Sequence, residues 1–173
     1  MKSLKTLVSL SALVACMGAA SMANAVSISP ASGAFSATGS LTVKSPSSLQ
    51  FPITCSVKFD GAVSGGIASI NTVTVSGSNP LCALPQITGT PWTLTATSLS
   101  GTTGGGNVTN VGYSIPAAGY PASNCGPSTV VVAYNNSTKV LTINPVNQPL
   151  GSSCTLQALS VTVSTGQVIV ATP

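Results

Sequence analysis

Reactive side chains are few in this chain of 173 residues, and their kinds limit the chemistry open to it. Proton transfer near neutral pH is usually done by His, by paired carboxylates, or by a Lys held beside an acid. The sequence holds five Lys, one Asp, and no Arg, Glu or His, so Asp60 alone could serve. Asp60 precedes Gly61, and an Asp at a turn bonds its own backbone, which is the plainer reading of the pair. Calcium would need several oxygen ligands and finds one carboxylate. The sequence therefore predicts no catalytic residue, no metal ligand and no cofactor, and a protein that is not an enzyme.

The remaining reactive groups are thiols. Cys55, Cys82, Cys125 and Cys154 are widely spaced and have no His partners, which in an oxidising compartment favours two disulfides over zinc. Three pairings are open to four cysteines. The favoured one joins Cys55 to Cys82 and Cys125 to Cys154, because each pair brackets a strand, turn and strand.

Other motifs have plain explanations. Gly104-Gly105-Gly106 lacks the Lys and the strand-to-helix context of a phosphate loop, so it reads as a flexible hairpin connection. Asn107-Val108-Thr109 and Asn136-Ser137-Thr138 match the glycosylation pattern but read as turn chemistry. Trp92, the single Trp, is expected to pack in the core or on a disulfide. Thr93, Thr95 and Thr97 form a row that could order water, and more simply is a solvated sheet face.

The elements that carry these residues begin after a leader. Lys2 and Lys5, an apolar run from Leu7 to Gly18, and Ala23-Asn24-Ala25 make a secretory signal over residues 1–25, with cleavage after Ala25. Leu13-Val14-Ala15-Cys16 also fits a lipoprotein box, in which Cys16 would anchor the chain to a membrane. The other reading leaves an even number of cysteines and a chain without a transmembrane segment. Residues 26–173 are then one domain. They carry Lys44, Lys58 and Lys139 against Asp60, three positive charges against one negative, for a net +2. That is no footprint for nucleic acid.

Val, Ile, Thr and aromatic residues recur with period two in nine segments. These are Thr42–Lys44, Phe51–Phe59, Ile67–Val75, Trp92–Leu99, Val108–Ile115, Thr129–Tyr134, Val140–Ile143, Leu156–Thr165 and Gln167–Ala171. Turn clusters separate them, among them Asp60-Gly61, Gly65-Gly66 and Gly101 to Asn107. The pattern predicts an all-β fold of eight to nine antiparallel strands, a sandwich or barrel-like domain stapled by disulfides, with essentially no helix. Residues 26–40 read as an extended arm or an edge strand.

Only 3% of the residues are charged, against about a quarter in ordinary globular domains. The wet faces must be built from Ser, Thr, Asn and Gln. Such a surface favours self-association or adsorption at interfaces.

Ala23-Asn24-Ala25, Ile28-Ser29-Pro30-Ala31-Ser32-Gly33 followed by Phe35-Ser36-Ala37 and Gly39, the spacing of Cys55, Phe59 and Gly61, and Pro91-Trp92 ahead of a Thr-rich strand together resemble the pseudomonad protein activators of alkane oxidation. The resemblance implies an exported protein that promotes growth on long-chain alkanes by wetting or dispersing them, with association to biofilm matrix. It implies no catalytic or binding residue. The partners expected are the oil–water interface, matrix components or other copies of the chain. The alternative is a structural matrix, fimbria-like or adhesin subunit, for which Gln167–Ala171 could be a donated strand, although an ordinary last strand of a hairpin is the plainer reading.

Overall fold

The computed structural model describes residues 25–172, so most of the leader, with Cys16, lies outside the described residues. Ala25 opens the first strand. The strands are β1 (Ala25–Ser29), β2 (Ser32–Lys44), β3 (Ile53–Ser64), β4 (Ile67–Ser76), β5 (Gln86–Thr88), β6 (Trp92–Ser100), β7 (Thr103–Ile115), β8 (Ser123–Asn135), β9 (Val140–Ile143), β10 (Gln148–Leu150), β11 (Cys154–Val163) and β12 (Val168–Thr172). Two 3-10 turns, Pro46–Ser48 and Pro80–Ala83, are the helical structure among the described residues.

Eight strands close on themselves. The order β11-β2-β3-β4-β6-β7-β8-β9 returns to β11, because β9 pairs with both β8 and β11. All these pairings are antiparallel. Of the two architectures the sequence allows, the chain forms the barrel, which removes most free sheet edges. β5 adds to β7, and β10 to β11. β1 and β12 pair with each other as a separate ribbon. Residues 26–40 thus supply one strand of that ribbon and then most of β2, an interior strand between β3 and β11.

Alternation along each strand sends one set of side chains inward. In β3, Cys55, Val57, Phe59 and Val63 are buried, while Ser56 and Lys58 face water. In β4 the buried Ala68 and Ile70 give way to half-buried Val73 and Val75, a change of phase. The extra residue is Asn71: Asp60 pairs with Thr72 but Gly61 with Ile70. This bulge corrects the turn expected at Asp60-Gly61, which lies within β3 instead. Period-two patterning is blind to it because the odd residue sits on the partner strand.

Gly101 to Asn107, expected as a turn, is mostly strand. Only Gly101 and Thr102 form the hairpin; Gly104, Gly105, Gly106 and Asn107 are ladder residues of β7, as is Thr109. The glycines answer a steric demand: a Cβ on Gly104 would lie 2.6 Å from the Ile169 side chain of β12. β12 itself pairs with the chain's own β1, so the segment read as a candidate donated strand is used internally.

A closer approach occurs at Gly39, which pairs with Val161 where β2 lies against β11. A Cβ there would fall 2.0 Å from the Ser160 carbonyl oxygen and 2.7 Å from Val161 Cα. Backbone atoms cannot swing aside as a side chain would. Gly39→Ala is expected to cost about 3 kcal/mol, at the upper end for overpacking, measured as a lower urea midpoint with unchanged slope.

Candidate functional site at one end of the barrel

The connections β2–β3, β4–β5, β7–β8 and β10–β11 gather at the same end of the barrel, here the upper end. They are tied by polar contacts among neutral side chains. Ser47 N donates to Ser123 Oγ at 2.9 Å, and the two hydroxyls lie 2.5 Å apart. Ser47 Oγ also donates to the Pro121 carbonyl at 2.8 Å. Gln50 Nε2 reaches the Ser153 carbonyl at 3.0 Å. Ser48 Oγ donates to the carbonyls of Ser45 and Phe51, fixing the β2–β3 loop.

On this frame stand apolar side chains turned to water. Leu49 is 68% exposed and Phe51 67% exposed, and Tyr120 on the β7–β8 connection is exposed as well. Leu49 is held left-handed at φ 52 and Gln50 at φ 64. Such backbone costs about 1–3 kcal/mol per non-glycine residue and persists only where the surroundings impose it. Phe51, expected at the head of a strand, lies before it. The strand starts at Ile53, because Ser48, Gln50 and Phe51 are tied back into the loop through Ser45 and Ser48.

Beneath the loops lies an apolar cavity of about 90 Å³, bounded above by Ser45, Ser47 and Leu81 and below by Phe59, Ile70 and Trp92. A second apolar cavity of about 60 Å³ occupies the other end, toward Ile28, Phe35 and Ile169, and shares Phe59, Ile70, Val132 and Leu141 with the first. The Phe59 and Trp92 rings meet edge-on, centroids 6.3 Å apart, near the shared wall. Trp92 is thus a core residue, and its Nε1 donates to the Thr88 carbonyl at 2.8 Å.

Both ends have a buried Tyr. Tyr134 Oη donates to the Gln167 carbonyl at 2.8 Å. Tyr113, which lines the upper cavity, is 9% exposed, and its hydroxyl is sealed from solvent without a hydrogen bond of normal geometry. Burial raises its pKa above the ordinary 10.0, and a side-chain contact with Ser45, outside normal hydrogen-bond geometry, draws it part of the way back. Burial likewise raises the pKa of Tyr134.

The disulfides frame this end. Cys55 is joined to Cys82, and Cys125 to Cys154. The first ties the Pro80–Ala83 turn over β3, and the second links the upper ends of β8 and β11. Asp60 stands apart on the outer face, where Lys58 Nζ lies 2.9 Å from its carboxylate. The hydrogen bond from Lys58 lowers the Asp60 pKa, and Ser36 adds to this. Thr93 and Thr95 sit on the outside of β6, and a bulge between Ala96 and Ser98 breaks the row before Thr97. Asn136-Ser137-Thr138 is a turn, in which Asn135 Oδ1 accepts the amides of Ser137 and Thr138. Asn136 does more: its side chain pairs with both backbone groups of Ile169, at 2.8 and 2.9 Å, in place of a strand.

Among the described residues there is no group of three His, Cys, Asp or Glu that could hold a metal, and no helix long and apolar enough to cross a membrane. Fold and site together define a disulfide-linked closed β-barrel with an apolar interior and with Leu49 and Phe51 exposed on a loop at one end. Residues 1–171 match the family model of alkane oxidation protein activators, PraA/PraB-like, and the chain belongs to that family. Neither a curated protein nor a solved structure matches it.

Proposed function

We propose that the protein is an exported, non-enzymatic accessory of growth on long-chain alkanes, acting where water meets hydrocarbon by seating the upper end of the barrel on the oil. The observation that carries this reading is the pair Leu49 and Phe51, held exposed on a loop whose left-handed backbone is costly. Exposed apolar side chains on a built platform mark interaction surfaces. The surface around them suits the task, since only Lys44, Lys58, Lys139 and Asp60 bear side-chain charge in residues 26–173. An oil phase has no charge for them to match. The family description supplies the hydrocarbon. The alternative, a polymerising matrix or fimbria-like subunit, gains less support, because barrel closure leaves few strand edges for a neighbour.

Dynamic interfacial tension between water and hexadecane tests the proposal. The purified, disulfide-bonded protein should lower it faster and at lower concentration than an exported control of similar size. Equal behaviour of the two would overturn direct action on the oil.

A further inference from the structure

We infer that the upper cavity is a binding site for one unbranched alkyl chain ending in a neutral oxygen group, a primary alcohol, with the oxygen at Tyr113 and the chain lying toward Phe59 and Trp92. Eight-stranded barrels enclose either a filled core or room for one small ligand, and this one keeps about 90 Å³ unfilled under the loops. A larger cavity of about 150 Å³, lined by aliphatic and aromatic residues, stays dry and takes up benzene, so this smaller one suits a slender unbranched chain and not a ring. A wall made chiefly of Val, Leu, Ile and aromatic side chains selects a hydrocarbon chain.

The polar end is set by Tyr113. A buried hydroxyl without a partner costs free energy, and native proteins seldom leave one so. Its counterpart Tyr134 has its bond to Gln167. Around Tyr113 the other polar side chains of the cavity are already engaged: Ser47 with Pro121 and Ser123, and Ser48 with Ser45 and Phe51. Among these, the Tyr113 hydroxyl, with Ser45 beside it, is the one left to meet a ligand oxygen. No Lys is among the residues lining the cavity, so a carboxylate would be buried without a countercharge, which is prohibitive. A hydroxyl is not.

The choice of an alkyl chain rests on the function proposed above, whereas the cavity and the unpartnered hydroxyl stand without it. The test is titration of the purified, disulfide-bonded protein with 1-hexanol, n-hexane and hexanoate, followed by methyl chemical shifts and calorimetry. Saturable one-to-one binding of 1-hexanol is expected, about tenfold tighter than hexane, with no binding of hexanoate at neutral pH. Tyr113→Phe should bring 1-hexanol down to the affinity of hexane while keeping the fold. Val73→Phe, which puts a ring into the cavity, should abolish binding of both.

Absence of saturable binding, or an alcohol preference that survives Tyr113→Phe, would overturn the site. If Val73→Phe fails to fold, the Tyr113→Phe comparison decides alone. The two proposals fail separately. A protein that binds 1-hexanol but behaves like the control at hexadecane overturns the interfacial reading only, and one that adsorbs without binding 1-hexanol overturns the cavity only.

Discussion

Leu49→Asn combined with Phe51→Ser is expected to weaken adsorption to hexadecane by about 100-fold while leaving the melting temperature within a degree or two. Immersing a Leu or Phe side chain in an apolar phase contributes about 1.5–3 kcal/mol. Two of them at the lower figure give about 3 kcal/mol, or two orders of magnitude in the adsorption constant. Stability should hold because both side chains already face water, and such sites usually change it by less than about 0.5 kcal/mol. Asn is chosen at position 49 because it tolerates the left-handed backbone found there. The loop's own bonds, Ser48 Oγ to the Phe51 carbonyl and Phe51 N to the Ser48 carbonyl, are made by backbone at position 51 and survive. Adsorption isotherms on hexadecane droplets check the result. Unchanged adsorption would place the contact elsewhere on the barrel.

The exposed loop and the cavity beneath it divide the labour. An adsorbed protein needs apolar groups outside the fold, and a folded one needs them inside. The β2–β3 connection meets both demands through Ser45, Ser47 and Ser48, which are buried and hydrogen-bonded. Their neutrality matters, since a charged anchor at that depth would need a partner the sequence does not hold.

Strand content and antiparallel pairing were legible because Val, Ile and Thr alternate where one face is wet, as at Ser56 to Phe59 and Ser160 to Val163. The family was legible too, in short motifs spread along the chain. Gly104 to Gly106 were not legible as strand. Glycine leaves no alternation to read, and the reason for it, Ile169, lies 65 or so positions away in sequence but in contact in space. The Asn71 bulge hid in the same way, since its effect appears only against β3. The candidate site was the least readable part. Phe51 has the composition of a strand start, but a left-handed Leu49-Gln50 turn comes just before it and both Leu49 and Phe51 face water. A lone Tyr in an apolar strand gives no sign that its hydroxyl will go unpaired. Gln148 likewise reads as a polar surface residue, yet it is buried and its amide pairs with both backbone groups of Val131, at 2.7 and 2.6 Å.

Gln148 shows where the barrel is weakest, and with it what the second disulfide does. β9 joins β8 to β11 only near their lower ends, through Val132–Asn135 and Ser160–Thr162. Above it no ladder connects β8 with β11; β10 lies between them, paired to β11 by backbone and to β8 by the Gln148 side chain. Cys125–Cys154 crosses this gap. The two disulfides span 27 and 29 residues, so chain entropy assigns each about 3.5 kcal/mol. Any difference between them must come from the folded state. Cys125→Ala with Cys154→Ala is expected to lower the melting temperature by about 10 °C, at a few degrees per kcal/mol for a domain of this size, and to expose the amides of β10 to hydrogen exchange. Cys55→Ala with Cys82→Ala frees the Pro80–Ala83 turn that covers the cavity. It should cost a similar amount in global stability while leaving β10 protected and speeding exchange around Leu81. Thermal melts of both double variants, with exchange read residue by residue, separate the two roles. Equal protection of β10 in both would mean that Gln148 holds the seam unaided.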